Sequence, residues 1–114
     1  MHNAYDEIAA DSGTEARLRE REALLQSIVA MEEADRNPSD AVRRTNAIVA
    51  VNRLWSTLVT DLASAQNQYP RELKAQLISI GIFVLRQCEA MRTDENKDFA
   101  AIVDISRTLE KGLA

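Results

Sequence analysis

Few side chains in this sequence could carry out catalysis or bind a metal, and they lie far apart. The only histidine is His2, at the N-terminus, and the only cysteine is Cys88. Catalysis near neutral pH needs a group that exchanges protons, or a nucleophile beside such a group. Because no histidine is available to deprotonate Cys88, we expect a buried, inert thiol there. One cysteine and one histidine also provide no zinc or iron–sulfur ligand set.

Two clusters of carboxylates could bind a cation or transfer protons. They consist of Glu32, Glu33 and Asp35, and of Asp94, Glu95 and Asp98. Both clusters lie at predicted helix ends in polar surroundings, so we expect solvated side chains that interact with the helix termini. The three glycines form neither a phosphate-binding loop nor a dinucleotide fingerprint. The sequence therefore predicts a protein that is not an enzyme and has no catalytic residue, cofactor or metal site.

The basic residues are concentrated in two groups of arginines that could contact nucleic acid. The groups are Arg17, Arg19 and Arg21, and Arg43, Arg44 and Arg53. Glutamates alternate with the first group, no aromatic side chains accompany it, and the formal net charge of the chain is −4. Such a chain does not attract phosphate backbones in general. We expect no nucleic-acid partner, but specific contact with RNA through these arginines stays an alternative.

The length and composition of the chain indicate one helical domain. It has 114 residues, of which 46% are hydrophobic and 4% aromatic, with five glycines and prolines in total. One core fits this length, and few turn-forming residues argue against a sheet. A single cysteine suits a reducing compartment. Met1 to Ala10 show no secretory signal, and the apolar run Ile80 to Leu85 is far shorter than the ~20 residues of a membrane span. We therefore expect a cytoplasmic protein.

The turn and cap signals divide the chain into four helices. Ser12 and Glu15 form a capping box that would begin helix one, so residues 1–12 would be a mobile lead or a short extra helix. Asn37 and Pro38 would begin helix two. Pro70 would occupy the first position of helix three, which runs to about Met91. A solvated loop at 93–98 would precede helix four, which ends at Gly112. The predicted fold is a four-helix bundle.

The third helix carries more apolar surface than one core can easily cover. It contains LISIGIFVL from Leu77 to Leu85. A helix that is apolar all round has to be covered by its own domain or by a partner. We therefore expect this helix to be central, with its remaining apolar side bound by a partner. Gly81, within the run, is typical of a close approach by another helix of this chain or of a partner.

Several blocks of the sequence resemble one known family. They are Asn52-Arg53-Leu54-Trp55, Asp61-Leu62, Asn67 followed by Pro70, the run Leu73 to Ile80, and the tail Ile102 to Arg107 ending Gly112-Leu113. In order and spacing these blocks are similar to the FlaF family of flagellar biosynthesis regulators, from about Tyr5 onward. Two positions depart from the family pattern: Tyr69 replaces a leucine, and Ser106 replaces an asparagine.

The resemblance implies a helical cytoplasmic protein that is needed for flagellin production. It also implies that the protein acts with the companion regulator FlbT as a flagellin-binding export chaperone, without catalytic residues. A surplus apolar helix face suits this role, because it can cover a helical end of an unassembled subunit. We predict a partner-binding groove beside helix three. It would use Ile78, Ile82, Phe83 and Leu85, with Trp55 and Tyr69 at its edge.

Two other functions remain open at this stage. The arginine groups would suit a post-transcriptional regulator that contacts flagellin messenger RNA directly. The second apolar side of helix three would suit a structural homo-oligomer, with a homodimer as its simplest form. Binding of flagellin, binding of RNA and self-association are separable by experiment.

Overall fold

The computed structural model describes the backbone of residues 4–113 and the side chains of residues 19–112. This part of the chain forms four helices and no strand: α1 (Ala4–Arg36), α2 (Ala41–Ala63), α3 (Arg71–Thr93) and α4 (Ala100–Leu113). Short connections join consecutive helices. The prediction of an all-α, four-helix bundle is confirmed.

The first helix begins earlier than predicted. α1 is continuous from Ala4, so Ser12 lies within the helix and does not cap its start. From residue 4 onward, the chain forms no separate short helix before α1. A helix can pass through Gly13 at a cost of about 1 kcal/mol relative to alanine. Ending and restarting it there would leave several backbone groups without helical partners. The predictions for His2 and for the side chain of Arg17 lie outside the described residues.

The second and third helices also begin slightly later than predicted. Asp40 is the N-cap of α2, and its carboxylate accepts a hydrogen bond from Arg43 N at 3.0 Å. Asn37 instead donates to Glu33 O at 2.8 Å, so it satisfies a carbonyl at the end of α1. Pro70 occupies the N-cap of α3, one residue before the helix. Both prolines therefore lie just before the helices and not at their first positions, and the N-cap of α2 is Asp40 and not Asn37.

The helices pack in the order α3, α2, α1, α4. We expected α3 to be central, but it lies at one end of this series. Within the described residues, the extensive helix interfaces are those between α2 and α3, α1 and α2, and α1 and α4. The buried positions of α3 are Gly81, Val84, Cys88 and Met91, a single stripe along the helix. The other sides of α3 are partly exposed to solvent. The apolar residues on those sides are therefore not covered by further helices of the described chain, which is why the prediction of a central α3 was wrong.

Contacts between distant parts of the chain hold α4 against α1. Both carboxylate oxygens of Asp35 accept from Phe99 N, at 3.1 and 3.2 Å, immediately before α4 begins. Further along, Glu32 pairs with Arg107 at 2.7 Å. The start of α4 thus lies beside the end of α1, and the two helices run antiparallel.

The carboxyl of Asp35 provides a prediction about pH. Partial burial raises its pKa above the ordinary 3.8, although the bond from Phe99 N opposes this shift. A carboxyl whose pKa is higher in the folded than in the unfolded state stabilises the folded protein at pH values below its unfolded-state pKa. This stabilisation is lost as the pH rises through the folded-state pKa. Asp35→Asn removes the titration. We expect the free energy of unfolding of Asp35→Asn, relative to the unaltered protein, to increase between about pH 4 and about pH 7.

Urea unfolding followed by circular dichroism at both pH values measures this difference. The neighbouring Asp40, whose pKa is lowered mainly by its bond from Arg43 N, is present in both proteins, so its contribution cancels. A relative stability that is constant or falls with pH would contradict the assignment to Asp35.

Gly81 lets α2 and α3 approach closely. A β-carbon added at Gly81 would overlap Cγ2 of Val59 and lie 3.4 Å from Cε3 of Trp55. Of the two readings of this glycine, the structure supports packing against a helix of the same chain. The close packing of α2 against α3 therefore depends on the absence of a β-carbon at residue 81.

Replacing Gly81 with alanine should destabilise the protein. Alanine gains about 1 kcal/mol of helix propensity, but overpacking against Val59 costs about 1–3 kcal/mol. We expect a net loss of up to about 2 kcal/mol in the free energy of unfolding, measured by urea denaturation. Adding Val59→Ala should restore most of the loss. Gly112→Ala is the control, because no atom lies within 4 Å of its added β-carbon; equal effects at both glycines would contradict the close approach.

Candidate partner-binding site

The six predicted partner-binding residues divide between two places. Ile82 and Phe83 are 43% and 41% exposed, and Ile78 is half-buried, on the outer sides of α3. Leu85 is half-buried and packs against the core. The remaining two, Trp55 and Tyr69, line a cavity at one end of the bundle.

The four α3 residues do not form a single groove. Residues Ile78, Ile82 and Leu85 follow each other at helical spacing on one flank of the buried stripe. Phe83 is rotated by about 100° from Ile82, which places it on the opposite flank. The apolar surface of α3 is thus split by the stripe that contacts α2.

The cavity lies between the end of α2, the start of α3, the end of α4 and part of α1. Its volume is about 490 Å³. Half of its lining residues are leucines: Leu24, Leu58, Leu62, Leu73, Leu77 and Leu109, with Glu20, Trp55, Asp61, Tyr69, Thr108 and Gly112. The sequence pattern marks all of these leucines except Leu24 as apolar positions of separate helices. Only the antiparallel packing brings them together, so the cavity itself was missed.

Hydrogen bonds in the α2–α3 loop hold Tyr69 at the cavity. Ser64 O accepts from Asn67 N at 3.1 Å, and the side chain of Asn67 accepts from Tyr69 N at 3.0 Å. The amide of Asn67 also donates to Asp61 at 3.4 Å. The loop at residues 64–69 is therefore a specific turn that positions an aromatic ring.

The electrostatic surroundings of the cavity are acidic. Its charged lining residues, within the part of the chain described, are Glu20 and Asp61. The C-terminal ends of α2 and α4, which carry the negative end of the helix dipole, lie beside it. The start of α3 contributes the opposite dipole end. The balance favours a cation over an anion at the cavity mouth.

One polar atom in the wall of the cavity has no partner. Trp55 is 2% exposed, and its Nε1 forms no hydrogen bond. Ser106 Oγ, on α4, is likewise buried without a partner. Buried donors and acceptors are normally paired, because an unpaired one loses its bonds to water. Within residues 19–112, these two are the buried side-chain polar atoms without a partner; the hydroxyl of buried Ser27 donates to Leu24 O.

Two features of the described residues bear on catalysis and metal binding: the thiol of Cys88 and the grouping of possible metal ligands. Cys88 is buried, and burial raises the pKa of its thiol to about 11, so the thiolate needed for reaction is scarce at neutral pH. Among residues 19–112, His, Cys, Asp and Glu form no group that could hold a metal ion.

Two of the arginines proposed to contact RNA, Arg43 and Arg44, make contacts within the protein. Arg44 donates to Lys97 O, Met91 O and Asp94 O at 2.7–3.0 Å. Arg43 pairs with Asp40 and Glu33, each at 3.3 Å. Arg44 is thus a structural residue that joins α2 to the end of α3.

The comparison with protein families decides the relationship of the chain. The family model described as "Flagellar protein FlaF" matches residues 1–113. The chain belongs to the FlaF family. The resemblance of the sequence blocks from Asn52 to the C-terminal tail is thereby confirmed.

Other comparisons add no relatives to this FlaF-family protein. Neither the curated proteins nor the solved structures contain a match to it. Within the described residues, no helix is long and apolar enough to cross a membrane. The family assignment makes the protein flagellar, and the cavity and the exposed sides of α3 are its candidate binding surfaces.

Proposed function

We propose that this FlaF-family protein is a cytoplasmic regulator of flagellar biosynthesis that acts as a non-catalytic, flagellin-binding export chaperone. It would promote flagellin synthesis and secretion, with FlbT as a possible further partner. The observation that carries the proposal is the apolar surface of α3: Leu73, Ile82 and Phe83 are each 39–43% exposed. Large apolar side chains left exposed on a small protein are typical of a site for another protein, and the flank of α3 that carries Ile78 and Ile82 is the face tested below.

The physical mechanism is the covering of one apolar helix by another. An unassembled filament subunit exposes the helical surfaces that pack together in the filament. An amphipathic helix of that subunit could lie along α3 and bury its apolar side there, as helices do in grooves. Covering this surface would delay self-assembly until export. No chemical step is required.

The direct test is binding of purified monomeric flagellin, measured by calorimetry. Ile82→Asp puts a charge into the proposed interface, and we expect it to weaken binding by about tenfold or more. Val42→Asp is the matched control, because Val42 is 70% exposed at the start of α2. Gly81, next to Ile82, lies instead beside Val59, near the other end of α2. We expect its affinity to stay within about twofold of that of the unaltered protein.

Two results would count against the proposal. Absence of flagellin binding by the unaltered protein would remove the chaperone function. Full affinity of a folded Ile82→Asp variant would remove this face of α3 from the interface. Light scattering of the protein alone tests self-association, because a stable dimer through α3 would occupy the same surface.

A further inference from the structure

We propose that the cavity between α2, α3 and α4 receives one large apolar side chain from an amphipathic partner helix that carries a lysine or arginine beside it. The inference rests on the proposed function only for the identity of the partner, which would be flagellin. The chemistry of the occupant is argued from the cavity itself.

The dimensions and walls of the cavity suit an apolar anchor. A volume of about 490 Å³ lies within the range of about 300–1,000 Å³ that binding pockets occupy. Leucines from all four helices contribute to its walls, and Leu73 is exposed at its edge. An apolar side chain that fills this space removes leucine surface from water, which is the main driving force for such binding.

The charge around the cavity selects a basic neighbour for that anchor. Asp61 is exposed and lines the cavity, where the C-terminal ends of α2 and α4 add negative potential. The lining contains no basic residue among the side chains described. A lysine or arginine next to the anchor would pair with Asp61, whereas a glutamate at that position would be repelled.

The indole of Trp55 also borders this cavity. Its Cε3 lies 3.4 Å from a β-carbon added at Gly81 of α3, and its Nε1 is buried without a hydrogen-bond partner. Trp55 is 2% exposed and lines the cavity, so its indole senses a side chain that fills the space.

Gly112 allows the cavity to be blocked without disturbing the core. It lies in the cavity wall, its φ is not positive, and no atom lies within 4 Å of an added β-carbon. Gly112→Leu therefore places a side chain at the cavity and leaves all charges unchanged. Gly112→Ala is the matched control. Circular dichroism and urea unfolding verify that both variants fold.

The experiment uses two synthetic helical peptides with the same leucine positions, one with lysine and one with glutamate on the polar face. Trp55 is the only tryptophan, so its emission reports occupancy of the cavity. At low salt we expect the lysine peptide to change this emission and to bind about tenfold or more tighter than the glutamate peptide. Gly112→Leu should weaken binding of the lysine peptide about tenfold, and Gly112→Ala by less than about twofold.

Asp61→Lys is a second variant, at an exposed position, in case Gly112→Leu does not fold. It should reverse or abolish the preference for the lysine peptide. The inference is overturned if Trp55 emission does not respond, if Gly112→Leu binds as well as the unaltered protein, or if a folded Asp61→Lys keeps the preference.

Flagellin binding by the same variants separates this inference from the proposed function. If flagellin binds Gly112→Leu with full affinity but loses affinity for Ile82→Asp, the chaperone function stands and the cavity is not its anchor site. If the lysine peptide occupies the cavity but flagellin does not bind at all, the cavity inference stands and the chaperone proposal fails.

Discussion

Replacing Trp55 with alanine is expected to lower the free energy of unfolding by about 3–5 kcal/mol. The side chain is almost completely buried in the cluster shared by α1, α2, α3 and α4, and it contacts the position where α3 comes closest. Its removal would leave a large space next to an existing cavity, and the close helix approach at Gly81 limits how far the walls can collapse. Urea unfolding followed by circular dichroism measures the loss.

Trp55→Phe is the matched control for this prediction. It keeps an aromatic ring in the core and removes the unpaired Nε1. The lost volume should cost less than in the alanine variant, and loss of the unpaired donor offsets part of that cost. A Trp55→Ala variant within about 1 kcal/mol of the unaltered protein would show that this ring does not stabilise the core.

Replacing Arg44 with methionine should cost about 2–3 kcal/mol in the free energy of unfolding. Its guanidinium donates to three carbonyls, at the end of α3 and in the loop before α4. Methionine keeps much of the apolar stem but leaves these carbonyls without their charged donor. Arg44→Lys should restore little, because an ammonium cannot reproduce the planar fork. Thermal and urea unfolding provide the measurement.

Arg53→Met is the control for Arg44, since Arg53 is exposed on the same helix. Its effect should stay within about 0.5 kcal/mol. Equal effects of the two substitutions would contradict the bracing role of Arg44. The same structure changes how RNA contact should be tested: loss of RNA binding in Arg43→Ala with Arg44→Ala could reflect loss of the fold, so Arg53 is the better position.

Local signals in the sequence were sufficient for the helices and for much of the core. The spacing of five residues predicts an apolar seam on α2: Ile48, Val51, Trp55, Leu58 and Leu62. Four of them are buried, and Leu58 is half-buried against the core. The prolines marked both turns correctly. These features depend on neighbours three or four residues away, which the sequence displays directly.

Features that depend on distant partners could not be predicted. The sequence does not show that Asp35 would accept from Phe99 N, or that Arg44 would reach the end of α3. It also does not show that α2 would cover Gly81, and therefore that α3 would have one main neighbour. The predicted site failed as a single groove for the same reason: Trp55 and Tyr69 line a cavity that exists only because the ends of α2, α3 and α4 meet beside the middle of α1.

The pairing order of the helices has a mechanical consequence for that cavity. Its walls belong to both ends of a linear series, with α3 at one end and α4 at the other, and no extensive interface joins those two within the described residues. A hinge movement that separates them would widen the opening while the three major interfaces stay intact. Separation of α3 from α4 would therefore let a partner side chain enter the cavity without unfolding of the bundle.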